Sequence, residues 1–280
     1  MDLSGKTCIV TGSNTGIGRV TAVELAKRGA YVVLANRSED KTLPVLEQIR
    51  AAGGEAEFLA LDLGSLAKTA DAAKRFLDGG RRLDVLVNNA GLAGQRGETS
   101  DGFELAFGTN HLGPYLHTRL LLPRLREAGS ARIVNVSSRA HYRAKGIDYE
   151  AVRRPTQSTT GMPEYGVSKL ANVLFTKALA AGEAGPGVHS YALHPGVVAS
   201  DIWRRIPWPF RQIAKLFMVS NEEGAQTSIH CATSDEVAKD DGLYYDRCRP
   251  KRPSAVALDP EAARLCWEKS AEMVAPHLAS

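Results

Sequence analysis

The 280-residue sequence contains no apolar run approaching the roughly 20 residues that a bilayer span requires. A soluble protein is therefore expected. The first residues, Met1-Asp2-Leu3-Ser4-Gly5-Lys6, lack the charged-then-apolar order of a secretory signal or of an apolar leader. A cytoplasmic location is the expectation. Cysteine is scarce, and Cys8, Cys231, Cys248 and Cys266 show neither CxxC pairing nor histidines at zinc spacing. This argues for a reducing compartment and against a disulfide framework or a metal site. An excess of one charge is also missing: 35 Lys and Arg face 31 Asp and Glu, a net charge of +4. Basic groups such as Arg153-Arg154, Arg204-Arg205 and the stretch Arg247 to Arg252 read as solvated surface, so no nucleic-acid partner is expected.

What the sequence does hold is alternation. Thr7 to Val10, Tyr31 to Ala35, Phe58 to Leu63, Asp84 to Val87, Arg132 to Val136 and Val188 to Leu193 read as strands, with a short strand at Leu243 to Tyr245. Helical patterns separate them: Arg19 to Arg28, Glu39 to Ala52, a helix capped by Ser65, Phe103 to Ala128 interrupted by Pro114 and Pro123, and Tyr165 to Ala181. Continuous apolar strands between helices predict an α/β fold, a Rossmann-type doubly wound parallel sheet in a single domain over residues 1–280. Residues 139–164 and 200–219 break the rhythm and are expected as long surface excursions.

Thr11-Gly12-Ser13-Asn14-Thr15-Gly16-Ile17-Gly18 follows the first strand and opens a helix. The spacing G-x-x-x-G-x-G differs from G-x-G-x-x-G, but the physics is shared. A tight glycine turn lets bare backbone approach a pyrophosphate, and the helix N-terminus presents free N–H groups. The second strand ends in Ala35-Asn36-Arg37, without the carboxylate that would bond a ribose 2′-hydroxyl. Arg37 suits a 2′-phosphate, so NADP(H) is the expected cofactor. Asp62, at the end of the third strand, is a candidate adenine contact.

Tyr165-Gly166-Val167-Ser168-Lys169 places a phenol and an ammonium one helical turn apart, on one face. An adjacent ammonium is expected to lower the phenol's pKa, fitting it for proton transfer to or from an alcohol oxygen. Asn88-Asn89-Ala90-Gly91 and Ser137-Ser138 end the fourth and fifth strands, at the carboxyl edge where ligands bind in such sheets.

These motifs, with Asn110 in Thr109-Asn110-His111-Leu112-Gly113 and with His194-Pro195-Gly196, resemble the short-chain dehydrogenase/reductase family over nearly the whole chain. The resemblance implies that Ser138 bonds the substrate oxygen, Tyr165 transfers the proton, Lys169 binds the nicotinamide ribose and tunes Tyr165, and Asn110 holds a water linking Lys169 to solvent. It makes Ser137 structural; His194 is left outside the catalytic set because such a histidine is more often packed or hydrogen-bonded than catalytic. It adds Leu63, Asn89, Ala90, Gly91, Pro195, Gly196, Val198 and Ser200 to the cofactor contacts. Ser13-Asn14-Thr15, Ala140-His141, Ser168 to Asn172 and Leu265 to Ser270 are similar to the retinol dehydrogenase-like branch, which implies a small apolar alcohol or carbonyl substrate.

Residues 200–219 correspond to the family's substrate lid. Their aromatics suit an apolar ligand, and their arginines and lysines also suit peripheral contact with a membrane. Homodimers or homotetramers are usual in the family. The long Ser138–Tyr165 connection leaves a monomer open as well. A second functional reading is a catalytically silent NADP-binding regulator on the same fold. The intact Tyr165/Lys169 pair opposes it, and the spacing of that pair also opposes an enoyl reductase.

Overall fold

The five residues of β1 (Thr7–Thr11) are all buried. Their side chains alternate between two apolar layers, Ile9 facing one and Cys8 and Val10 the other. A strand covered on both faces lies between two packed layers, and β1 pairs on both sides, with β2 and β4. A computed structural model describes residues 1–196 and 220–278. Around β1 lie β2 (Tyr31–Asn36), β3 (Glu55–Ala60), β4 (Val85–Asn88), β5 (Ala131–Val136), β6 (Val188–His194), β7 (Leu243–Asp246) and β8 (Arg249–Pro250). Their order across the sheet is β3-β2-β1-β4-β5-β6-β7-β8. All neighbours pair in parallel except β7 and β8. The order reverses between β1 and β4, which opens a crevice at the carboxyl ends of those strands.

Seven helices cover the sheet among the described residues: α1 (Gly16–Lys27), α2 (Leu43–Ala51), α3 (Leu66–Asp78), α4 (Gly113–Glu127), α5 (Met162–Ala178), α6 (Asn221–Thr233) and α7 (Pro260–Val274). One apolar layer joins Ile9, Val33, Leu86 and Ile133 to Phe76, Leu116, Leu121, Phe175 and Trp267. The other joins Val10, Leu34, Val87 and Val134 to Leu25, Ile49 and Cys231. The expected doubly wound sheet is thus present. No described helix is long and apolar enough to cross a membrane.

Several boundaries differ from expectation. β3 begins at Glu55 rather than Phe58 and ends at Ala60, because its whole length pairs with β2 from Tyr31↔Glu55 onward. A sheet edge tolerates its alternating glutamates. The prolines do not interrupt the long helix. The chain coils without a break from Leu105 to Glu127, through a π-helical turn at Gly108–Leu112. Pro114 sits in the first turn of α4, and Pro123 lies inside it. The expected excursion at 139–164 is held to the body. Val152 and Thr156 are buried, and Glu104, 2 % exposed, accepts hydrogen bonds from Thr156 Oγ1 and Phe107 N. The carboxylate needs those donors, so the loop folds back to it. The proposed lid, 200–219, lies outside the described residues, as do Val198 and Ser200.

One buried group stands out in α4. His117 is fully buried, and neither ring nitrogen has a hydrogen-bond partner among the described residues. Burial lowers its pKa from 6.5 to about 4. The unfolded chain therefore binds a proton between those values while the folded chain does not, and stability falls as pH drops through that window. His117 is expected to contribute a slope of about 1.4 kcal/mol per pH unit there. His117→Leu, which removes two unsatisfied groups, should raise the melting temperature at pH 7 and flatten the acid limb, as measured by thermal denaturation across pH.

Candidate active site

The glycine turn after β1 is built by close approach. Gly12 has φ +66°, and a Cβ there would lie 2.8 Å from Ala90 Cα. A Cβ on Gly18 would lie 2.3 Å from Gly12 O and 2.4 Å from Asn89 Nδ2. Asn89 holds this turn from β4: its Nδ2 donates to Thr11 O (2.8 Å) and Gly12 O (3.2 Å). Thr11 Oγ1 accepts from Asn89 N (3.0 Å) and Ala90 N (2.9 Å). Asn89 and Ala90 therefore fix the loop as well as bordering it. Thr15 precedes α1 with extended backbone and no side-chain cap, and the first turn of α1 carries no acidic residue. The leading N–H groups of α1, at Gly16, Ile17 and Gly18, thus face the crevice without a capping side chain to accept from them, and Asn14 lies part-exposed beside them. This fits a dinucleotide's phosphates.

At the end of β2, Asn36 is buried and its Nδ2 donates to Ser13 Oγ (3.0 Å). Ser13 is itself fully buried, so its side chain braces the loop from within. Arg37 is exposed at the strand end. Asp62 is half-buried. Its Oδ1 accepts from Gly64 N (3.2 Å), and its Oδ2 lies 3.5 Å from Lys68 Nζ. The Leu63 side chain belongs to the apolar layer, and its backbone packs against Gly113, where a Cβ would lie 2.5 Å from Leu63 O.

The four residues expected to be catalytic meet over the ends of β4 and β5. Ser138 directly follows β5 and its neighbour Ser137. Ser137 Oγ donates to Lys169 O (2.7 Å), the structural role expected of it. The Ser138 hydroxyl accepts from Ala140 N (3.2 Å) and meets the Tyr165 hydroxyl. Tyr165 and Lys169 sit in the first two turns of α5. That helix starts at Gly161, whose φ of +65° and approach to Gln95 O exclude a side chain there. Lys169 is 4 % exposed, and its Nζ donates to Val136 O (2.8 Å) and lies 5.7 Å from the Tyr165 ring centroid. Gly91 makes room for it, since a Cβ there would lie 3.4 Å from Nζ and 3.2 Å from Asn110 Oδ1.

Asn110 lies in the π-helical turn and is fully buried. Its Oδ1 accepts from Leu92 N (2.8 Å), while Nδ2 donates to Leu92 O (2.9 Å) and Ser168 Oγ (3.0 Å). Both amide protons are thereby committed, and Asn110 pins the Gly91 loop to α5. Behind Lys169 a further chain is visible. Asn172 Nδ2 lies 3.5 Å from Val136 O, Asn172 Oδ1 lies 3.3 Å from His111 Nδ1, and His111 Nε2 lies 2.8 Å from Ser270 Oγ. The sequence patterns left Asn172 and Ser270 without a role. Their partner His111 lies 61 residues from Asn172 and 159 from Ser270, which hides the contacts.

The electrostatics depart from expectation. Burial raises the Tyr165 phenol, with the Ser138 hydroxyl opposing it. Burial also lowers Lys169 to about 8. The ammonium is turned toward the Val136 carbonyl, and desolvation of the phenol dominates in this state. His194 is buried, lowered to about 4, with Nδ1 accepting from Arg139 N (3.4 Å), in keeping with its exclusion from the catalytic set. Pro195 and Gly196 follow β6 half-buried at the same edge. Among the described residues no group of His, Cys, Asp and Glu could hold a metal ion.

Residues 6–208 match the family model described as short chain dehydrogenase. The chain is 41% identical to the Bos taurus dehydrogenase/reductase SDR family member 13 over 97% of its length and 74% of that protein's. It is 40% identical to Mus musculus retinol dehydrogenase 12, covering 98% of this chain and 88% of that one. Among solved structures, a putative uncharacterized protein from Mycobacterium paratuberculosis superposes with a TM-score of 0.78 at 32% identity, over 98% of this chain and 95% of the other. A putative NAD(P) dependent gluconate 5-dehydrogenase from Beutenbergia cavernae, with bound NADP, has a TM-score of 0.71 at 27% identity, over 88% and 96%. With the glycine turn on β1, the serine on β5 and the Tyr/Lys pair on α5, the chain belongs to the short-chain dehydrogenase/reductase family, in its retinol dehydrogenase-like branch, and is an alcohol–carbonyl oxidoreductase.

Proposed function

We propose that this enzyme uses NADP(H) to interconvert an apolar alcohol with its aldehyde or ketone, with Tyr165 as general acid and base. The observation that carries this reading is the meeting of the Ser138 and Tyr165 hydroxyls at the carboxyl end of β5, beside the buried Lys169 ammonium. A carbonyl oxygen bridging the two hydroxyls gains negative charge as carbon is reduced. Tyr165 then gives up its phenolic proton to that oxygen, and Ser138 stabilises the charge through its hydrogen bond. When bound, the nicotinamide supplies or accepts the hydride. Lys169, whose Nζ donates to Val136 O, then binds the ribose hydroxyls and returns a proton to Tyr165. Turnover of NADPH with a panel of apolar aldehydes and ketones tests the reading. NADPH binding without turnover of any member would favour the silent regulator instead.

The preference for NADP rests on the end of β2. Asn36 is neutral and its Nδ2 is occupied by Ser13 Oγ, and Arg37 is exposed at the end of β2. The NADP in the Beutenbergia protein and the name of the retinol dehydrogenases support cofactor and substrate class respectively. Arg37→Gln is expected to raise the KM for NADPH about tenfold to a hundredfold, the loss of one charge-assisted contact, and to leave that for NADH within about twofold. Steady-state kinetics with both cofactors would show it, and an unchanged ratio would remove Arg37 from the phosphate site.

A further inference from the structure

The segment after β7 carries no assigned role, yet it is tied at several points to the turn that bears Ser138. That turn is a short 3-10 helix, Arg139–Arg143, with Ser138 as its N-cap. His141 lies at its centre and is fully buried. The Ser138 carbonyl accepts twice from this residue, from His141 N (3.1 Å) and from His141 Nδ1 (2.7 Å). On the other side of the ring, Nε2 accepts from Ser254 N (3.1 Å). The partners define the tautomer: Nδ1 meets an acceptor and must carry the proton, while Nε2 meets an N–H and must not. The ring also packs against Tyr244 (centroids 4.8 Å apart) and Tyr142 (4.0 Å).

Two further ties flank it. Tyr142 Oη donates to Arg252 O (2.6 Å). Arg139 donates to Asp246 Oδ2 through Nε (3.1 Å) and Nη2 (2.9 Å), and Lys251 Nζ joins the same oxygen (2.7 Å). Arg139 and Lys251 are 47% and 44% exposed, so solvent weakens those ion pairs. The bridge through His141 is the more buried link: His141 is fully buried, Ser254 is 8% exposed, and Ser138 is half-buried. It is the stronger mechanical link. Ser138 contacts Tyr165 on one side and, through His141, residues 246–254 on the other.

We propose that His141 is a positioning residue that couples the 246–254 strap to Ser138 and so sets the Ser138 hydroxyl against Tyr165. This rests on the reading of Ser138 and Tyr165 as the pair that holds the substrate oxygen. Two substitutions divide the bridge. His141→Asn places an amide nitrogen near the position of Nδ1 and drops the tie to Ser254. His141→Gln places an amide oxygen near that of Nε2 and drops the tie to Ser138. With NADPH and decanal, kcat is expected to fall about ten- to a hundredfold in both, the scale of a small misplacement of a reacting group. The Kd for NADPH should stay within about twofold, because the glycine turn is untouched. Wild-type kcat in either variant overturns the inference. So does a loss of kcat matched by an equal loss of NADPH affinity, which would mark general unfolding. Should both fail to fold, Ser254→Pro removes the donor while leaving His141 in place, and the same two readouts decide. Tyr165→Phe, run in parallel, separates the levels. Full activity there sinks the catalytic reading itself, whereas an inactive Tyr165→Phe with fully active His141 variants sinks only the coupling.

Discussion

Tyr165→Phe is expected to lower turnover by about a thousandfold, roughly 4 kcal/mol of transition-state stabilisation, with NADPH affinity almost unchanged. The substitution removes one oxygen and keeps the ring that packs at the start of α5, so the helix and Lys169 stay in place. What disappears is the proton source facing Ser138. The pH dependence follows from the direction of the phenol's shift. Burial raises it, so the proton is retained at neutral pH and carbonyl reduction needs no prior protonation. Reduction should therefore be flat through neutral pH and decline on the alkaline side as the phenol ionises. Oxidation needs the ionised form and should rise there. Initial rates in both directions across pH, together with cofactor titration of the variant, check this. A variant that keeps wild-type turnover would end the Tyr165 mechanism.

The second large effect belongs to Gly18→Ala. The new methyl would lie 2.3 Å from Gly12 O and 2.4 Å from Asn89 Nδ2, and neither is the loose end of a flexible chain. The amide of Asn89 is held by Thr11 and Gly12 carbonyls, and Gly12 is pressed against Ala90. Relief can come only from opening the turn, the surface offered to the pyrophosphate. NADPH affinity should fall about a hundredfold, near 3 kcal/mol, with an overpacking loss of about 1–3 kcal/mol in stability. Gly16→Ala makes the control. Its nearest obstruction is Asn221 Oδ1 at 3.7 Å, so only the left-handed backbone, φ +59°, opposes it, at about 1–2 kcal/mol. Fluorescence titration of NADPH and thermal melts of both variants distinguish steric closure from backbone strain. Equal affinities in the two would contradict the close-packed turn.

The sheet and the site were legible from sequence to different depths. Seven strand positions could be read because parallel strands buried on both faces are written as unbroken apolar runs, as in Thr7 to Val10. Strand β3 slipped, since an edge strand with glutamates does not look apolar. Helices α6 and α7 were missed, although Ser220 caps Glu223 N and Asp259 caps Glu261 N ahead of Pro260. Those capping signals stand in the sequence, and α7 carries a clear apolar stripe behind its own. Prolines misled for a physical reason. Pro114 follows directly on the π-helical turn at Gly108–Leu112, where the ordinary hydrogen-bond ladder of the helix is already interrupted. Among site residues, Ser138, Tyr165, Lys169 and Asn110 could be placed by motif. The committed amide of Asn110 and the inward turn of Lys169 toward Val136 could not, because they depend on Leu92, Ser168 and a strand-end carbonyl remote in sequence. His141 was visible only as part of a resemblance, since its partner Ser254 lies 113 residues away.

The two-residue strand β8 bears on how copies of this protein can meet. Beyond β7, the margin of the sheet is finished by Arg249 and by Pro250, which has no N–H to lend. Lys251 N is already spent on Tyr244 O (2.7 Å). An incoming strand thus finds a frayed hem in place of a selvedge, and no continuous sheet can be stitched from one molecule to the next along that border.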